Sequence, residues 1–200
     1  MNASLPDFAH RQLHVFRGCA RGLLISLSLF PCALLAGEIL DSSVTHDGAV
    51  YRLSITARVD APLTVVYQSI TDFTNLAAIN PSIEESQVLE SQGADRLRVS
   101  SVIRVCILVF CKRVVQVQDV TLVDSSTVVA TIVPGAGDFR AGLARWELTA
   151  VGTATDLHFT ETFEPDFWVP PLIGPWLIEK KLVREVAETT MYIEAQAGGQ

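Results

Sequence analysis

The sequence predicts an α+β fold in which a curved antiparallel sheet of about seven strands encloses a long C-terminal helix. Three observations carry this prediction. Residues 83–163 keep a two-residue hydrophobic period, with turn residues between the runs, which is typical of consecutive antiparallel strands. Two short helical segments separate this region from one earlier strand. The C-terminal part returns to a helical period, and no breaker interrupts it.

The first strand and the two short helices are predicted between residues 49 and 79. Residues 49–59 alternate between apolar side chains such as Ile55 and polar ones such as Arg52, which indicates a half-buried strand. The helices are expected at 63–70, after Pro62, and at 76–79. We predict six further strands, at residues 83–90, 96–106, 112–122, 127–133, 138–150 and 155–163.

The final helix is predicted from Trp176 to about Ala195. One stripe of its surface carries Trp176 and Met191, and a second stripe carries Leu182, Val186 and Ile193. Apolar residues on two stripes predict a helix buried over more than half its circumference. A solitary helix is buried to that extent only if a sheet curves around it.

The first 36 residues have the pattern of a secretory signal. Arg11, Arg17 and Arg21 precede the uncharged run Gly22–Ala36, as in a basic n-region followed by a hydrophobic h-region. The run is shorter than the roughly 20 residues that span a membrane. We therefore expect an exported, periplasmic or secreted domain at 37–200. The alternative is an uncleaved anchor that tethers this domain.

The charge of the domain argues against nucleic-acid binding. Three of the 15 basic residues and one of the 22 acidic residues lie in 1–36, which leaves 12 basic and 21 acidic residues and a formal charge of −9. Such a domain lacks the basic surface that binds phosphate backbones. Anionic membranes would repel it as well. We expect at most transient membrane contact, through a patch of Lys180, Lys181 and Arg184.

Only Cys106 and Cys111 remain after residue 36. Two cysteines at this spacing in an exported protein predict a disulfide. The alternative is a pair of reduced cysteines that pack as small apolar side chains. Two cysteines do not form a tetrahedral metal site alone, and no phosphate-loop, zinc-protease or serine-hydrolase motif is present. We therefore expect no metal and no cofactor.

Three segments carry a resemblance to a known superfamily. They are Val59–Tyr67 (VDAPLTVVY), Asp72–Leu76 (DFTNL) and Asn80–Ile83 (NPSI). With the order of elements, they resemble the helix-grip fold of the START-like (SRPBCC) superfamily, and most closely its polyketide cyclase/dehydrase and coenzyme Q-binding branch. The resemblance covers roughly Ala49–Glu194. It implies a cavity between sheet and helix that takes lipids, quinones, sterols or polyketides, in enzymes or in binding proteins.

The last hairpin allows a prediction about the cavity wall. With its turn near Gly152, Trp146 falls opposite Phe159, and Ala144 falls opposite Glu161. The apolar pairs indicate that this face points inward, which brings Glu161 into the cavity beside small residues. Arg140 has the same parity. Two structural alternatives stay open, a Glu161–Arg140 ion pair and a β-bulge that turns Glu161 outward.

We predict ligand binding by the hydrophobic and polar side chains Glu161, Arg140, Trp146, Phe159, Phe163 and Trp176. His158 falls on the outer face and is interpreted as a surface residue. Phe167-Trp168-Val169, in a proline-rich stretch, either seals one end of the barrel or acts as a mobile lid.

The expected function is binding or transport of a hydrophobic small molecule by a monomer. Two alternatives remain open. The first is an enzyme of the cyclase/dehydratase type that transfers protons through a cavity carboxylate, although no catalytic residue can be assigned. The second is a non-catalytic interaction domain.

Overall fold

The computed structural model describes residues 37–107, 110–169 and 174–199. The predicted leader, residues 1–36, lies outside the described residues. The elements in chain order are β1 (Glu38–Asp47), β2 (Val50–Val59), α1 (Leu63–Ile70), α2 (Leu76–Ile79), β3 (Ile83–Ser91), β4 (Arg96–Ile107), β5 (Phe110–Leu122), β6 (Thr127–Ile132), β7 (Phe139–Val151), β8 (Ala154–Pro165) and α3 (Gly174–Gly198).

The predicted fold class is confirmed, with one strand more than expected. All eight strands form a single antiparallel sheet in the order β1-β2-β8-β7-β6-β5-β4-β3. The additional strand is β1, which pairs with β2 at one edge of the sheet. Seven of its ten residues are polar and none is fully buried, so the sequence lacks the alternation of apolar and polar residues that indicates a half-buried strand.

The core lies on the concave face of the sheet, where the helices pack. Near the α1 end, Ile193 of α3 is fully buried against Val59, Val66 and Leu157. Further along, Phe73 packs on the inward side chains of β4 to β7. Because apolar and polar residues alternate along the strands, apolar side chains line the space between the sheet and the helices, as the helix-grip prediction requires.

The predicted burial of α3 over more than half its circumference is confirmed, because between Leu177 and Glu194 only Lys180, Arg184 and Met191 are exposed. Leu182, Val186 and Ile193 face the sheet, but Trp176 is 55% exposed and Met191 is 45% exposed. The sheet is open, with β1 and β3 at its two edges. It therefore leaves one strip of the helix at the surface, while Val183 and Ala187 of the second predicted stripe are half-buried.

The Cys106–Cys111 disulfide is present. The two residues face each other directly across the β4–β5 hairpin, and their sulfur atoms are 2.08 Å apart. The bond ties the two strands together near the tip of the hairpin. Cys106 also forms part of the wall of an internal chamber, described below.

Within the described ranges, no helix is both long and apolar enough to cross a membrane. The same residues contain no cluster of three or more histidine, cysteine or acidic side chains placed to hold a metal ion.

Candidate ligand-binding cavity

The β7–β8 hairpin brings Glu161 to the interior, as its register predicts. Trp146 pairs with Phe159, and Ala144 pairs with Glu161. Because side chains of directly opposed residues share one face, Glu161 lies on the same face as the two aromatic rings. Ala144 is almost fully buried, and its small side chain leaves space beside the carboxyl group.

The interior contains two chambers between the sheet and α3. The large chamber, about 240 Å³, lies toward α1 and α2, where Phe73, Trp146 and Phe159 line it. The small chamber, about 180 Å³, lies toward the β4–β5 hairpin tip, where Phe163 and Phe167 line it. Together they reach the lower part of the roughly 300–1,000 Å³ range of small-molecule sites.

The two chambers meet at a set of residues that line both of them, which we call the waist. Two strands and the C-terminal helix supply its polar members, and apolar side chains complete it. The waist consists of Ile103, Gln116, Glu161, Leu182 and Glu185.

Curvature of the sheet allows Gln116 and Glu161 to meet. They belong to β5 and β8, which are separated by β6 and β7, a distance of about 14 Å in a flat sheet. Nevertheless Gln116 donates a hydrogen bond from Nε2 to Oε1 of Glu161, at 3.5 Å. Ala144 pairs with Glu161 and Ala130 pairs with Ala144, so the side chains beside Glu161 on the intervening strands are small.

Burial strongly perturbs the carboxyl group of Glu161. Removal from water raises its pKa from 4.5 to about 7, and the hydrogen bond from Gln116 opposes this rise only in part. Desolvation penalises the charged carboxylate more than the neutral acid. The side chain therefore exists as a mixture of both forms near neutral pH, and it borders the empty volume rather than packed protein.

Helix α3 contributes an ion pair, Lys181 with Glu185, to the wall opposite the sheet. Nζ of Lys181 is bonded to a carboxylate oxygen of Glu185 and to the hydroxyl oxygen of Ser82, the latter at 2.6 Å. Partial burial lowers the pKa of the Lys181 amine. Since Arg184 points outward and pairs with Glu188, Lys181 and Arg184 do not form the predicted basic patch.

Four of the six predicted ligand-binding residues line the chambers. Trp146 and Phe159 line the large one, Phe163 lines the small one, and Glu161 lines both. Trp176 lies outside both chambers, where the Nζ of Lys180 sits 4.6 Å from the centroid of its ring. The exposed side of α3 carries it away from the sheet.

The predicted inward position of Arg140 is wrong. A register shift lies between Phe139 and Ala141, and a bulge of this kind breaks the alternation of faces. Arg140 consequently lies at the surface, bonded to Asp166 at 2.7 Å and to Glu164 at 3.4 Å. The proposed Glu161–Arg140 ion pair does not form, and the bulge affects Arg140 rather than Glu161.

The remaining candidates are His158 and the segment 167–169, and their contacts indicate structural roles. His158 lies on the outer face, where Nδ1 is 2.9 Å from the hydroxyl of Thr56. Phe167 packs edge-on against Phe139 and, with Val169, closes one end of the small chamber. Trp168 between them is 77% exposed. This geometry fits the sealing interpretation of the segment.

Sequence reasoning missed Gln116, Lys181 and Glu185. A signal for Gln116 existed, because Gln116 falls between the inward residues Val114 and Val120 in an alternating strand. Lys181 and Glu185 are one turn apart on the edge of the apolar stripe, a position that sequence alone does not distinguish from a solvated face.

Comparison with known proteins places the chain in a family. The model of the family described as polyketide cyclase/dehydrase and lipid transport matches residues 51–192. A search of curated proteins finds no match.

Solved structures show the same fold at low sequence identity. The Zhui aromatase/cyclase from a Streptomyces species has a TM-score of 0.59 at 17% identity, covering 74% of this chain and 94% of that one. A START superfamily protein from Mycobacterium smegmatis has a TM-score of 0.57 at 17% identity, covering 74% and 97%. A Thermus thermophilus protein has a TM-score of 0.58 at 21% identity, covering 74% and 97%. With the family model spanning most of its length, the chain belongs to the polyketide cyclase/dehydrase and lipid transport family.

Proposed function

We propose that the domain binds a hydrophobic small molecule in its two chambers and carries or presents it. The observation that supports this most is the lining, which is mainly apolar and carries a few polar side chains, Gln116 and Glu161 among them. Burial of apolar ligand surface stabilises such a complex by about 25 cal/mol per Å². The few polar groups would orient the ligand.

Obstruction of the waist tests this proposal. Leu182→Trp puts an indole ring where the two chambers meet. We expect the affinity of the full-length chain for an apolar fluorescent dye to fall at least tenfold, because the ring takes up ligand volume. Dye titration measures this, and mass spectrometry of a solvent extract shows whether the purified protein carries an apolar molecule.

The matched control is Leu143→Trp, the same substitution at a side chain that is exposed on β7. Its affinity should stay within twofold of the wild-type value, and circular dichroism should show that both variants are folded. Equal affinity of both variants, or an unmodified protein that is empty and takes up no dye, would contradict ligand binding.

A second candidate is an enzyme that transfers protons through Glu161. It is supported by one observation, a carboxyl group whose pKa is raised to about 7 in an apolar cavity, since such a group can both donate and accept a proton near neutral pH. This candidate predicts that Glu161→Gln loses turnover and keeps ligand affinity. Unaltered turnover in that variant, measured with a substrate found by extraction, would remove Glu161 from catalysis.

We also propose that the domain works outside the cytoplasm. The Cys106–Cys111 disulfide supports export, because such bonds persist mainly in oxidising compartments, and the pattern of residues 1–36 supports it independently. N-terminal sequencing of the protein from its own host distinguishes a cleaved leader from a retained anchor.

A further inference from the structure

The side chain of Glu161 borders the volume that a ligand would occupy. It lines both chambers, and the residues that pair with it across the sheet, Leu53 of β2 and Ala144 of β7, are apolar and buried. Its inward neighbours along β8 are the rings of Phe159 and Phe163, one in each chamber. Whatever fills the cavity therefore changes the surroundings of this carboxyl group directly.

The described part of the lining offers no unpaired cation to the Glu161 carboxyl group. Its only other ionisable side chains are Lys181 and Glu185 of α3, and these two pair with each other. The residues that β2, β4, β5, β6, β7 and helices α1 and α2 contribute to it carry no charge. Its remaining polar side chains are neutral: Asn80, Ser101, Gln116, Gln118 and Thr189.

The charged form of Glu161 depends on groups that a ligand would disturb. The hydrogen bond from Gln116 Nε2 is 3.5 Å long, beyond the usual 2.7–3.2 Å range. Chambers of about 240 and 180 Å³ with polar groups in their walls have room for water, which can solvate a carboxylate. An apolar ligand displaces that water and offers no hydrogen bond in return. Loading of the cavity therefore penalises the carboxylate more than the neutral acid.

This effect falls near neutral pH. Burial raises the pKa of Glu161 to about 7, and an apolar ligand in the chambers should raise the pKa further. By linkage, a ligand that favours the protonated form binds most tightly where that form predominates. Affinity is therefore fully present below about pH 7 and is lost as the pH rises from the pKa of the free protein to that of the complex.

We propose that binding of an uncharged apolar ligand is coupled to proton uptake by Glu161, so that ionisation of this carboxyl group weakens the hold of the cavity on its ligand. The proton comes from solvent, and no bond of the ligand is made or broken. This inference rests on the proposed ligand-binding function and adds a means of regulating it at the same site.

Titration of the full-length chain with N-phenyl-1-naphthylamine from pH 5 to 9 tests the inference, because this apolar dye stays uncharged across the range. We expect Kd to rise about five- to tenfold between about pH 6 and pH 9, which corresponds to a further rise of up to about one unit in the pKa of Glu161. In weakly buffered solution at pH 7.5, each bound dye should take up about half a proton. Circular dichroism at each pH verifies that the protein is folded.

Three variants assign the pH dependence to the carboxyl group. Glu161→Gln removes the ionisation at nearly constant volume, so Kd should no longer vary with pH and proton uptake should vanish. Gln116→Met removes a donor that favours the carboxylate, and it should shift the rise in Kd to higher pH. Glu90→Gln is the matched control at an exposed carboxyl group and should behave as the wild type does.

The outcomes separate this inference from the proposed function. A wild-type Kd that is constant from pH 5 to 9, or that falls as the pH rises, would overturn the coupling and leave ligand binding intact. A pH dependence that persists in Glu161→Gln would also overturn it, and would point instead to the Lys181–Glu185 pair. If Glu161→Gln does not fold, proton uptake by the wild type and the shift in Gln116→Met decide the question. Failure of the dye to bind at every pH would contradict the proposed function itself.

Discussion

Replacement of Ile193 by alanine is expected to lower the free energy of unfolding by about 2–5 kcal/mol. Ile193 is 0% exposed and joins α3 to Val59, Val66 and Leu157. Removal of three carbon atoms there loses their transfer free energy and leaves a cavity that packed neighbours close only in part. Urea unfolding followed by circular dichroism measures the change.

Met191 provides the control on the same helix. Two residues away, it is 45% exposed, so Met191→Ala should change stability by less than about 0.5 kcal/mol, as most surface substitutions do. A loss of similar size in both variants would indicate that helix propensity, rather than docking on the sheet, sets the stability of α3. An Ile193→Ala variant with the free energy of unfolding of the wild type would contradict the packing described for this end of the core.

Glu161→Gln is expected to stabilise the protein above pH 7 and to remove a distinctive pH dependence. Burial raises the pKa of Glu161 from 4.5 to about 7 in the folded state. Between these values the folded protein keeps a proton that the unfolded chain has released. The contribution of Glu161 to the free energy of unfolding is therefore fully present below about pH 4.5 and is lost as the pH rises to about 7. At about 1.36 kcal/mol per pKa unit, the free energy of unfolding falls by about 3 kcal/mol across this range.

The measurement is the difference in unfolding free energy between wild type and variant from pH 4 to 8. The exposed Glu90→Gln serves as the control and should follow the wild-type profile. Asp119 and Asp156 pair with arginines that lower their pKa, so their stabilisation is lost only under more acidic conditions. A wild-type profile that is parallel to the Glu161→Gln profile would show that the carboxyl group is not desolvated.

Local signals made one wall of the cavity predictable. The β7–β8 turn at Gly152, whose φ is +64°, sets the pairing of the residues that follow it. With the hydrophobic period, that register is sufficient to place Glu161 beside Trp146 and Phe159. Strands β2 and β4 to β8 were predictable for the same reason, because each has one face that is more buried than the other, whereas the edge strand β3 has no buried residue.

Features that depend on distant contacts were not predictable. The bulge at Arg140 breaks the parity, and no glycine or proline at that residue signals it. The contact between Gln116 and Glu161 joins residues 45 positions apart through the curvature of the sheet. The polar strand β1 pairs with the edge of β2 and also contacts α3, both of which are distant or non-periodic signals in the sequence.

The pairing of β2 with β8 has a consequence for how the protein folds. Thr56 and His158 are neighbours in the sheet and are 102 positions apart in the chain. The β1–β2 hairpin therefore cannot join the rest of the sheet until most of the chain has been synthesised, and contacts of such long range slow folding. Together with α3, which completes the cavity from the C-terminal end, this order delays the closure of the cavity until the last residues are available.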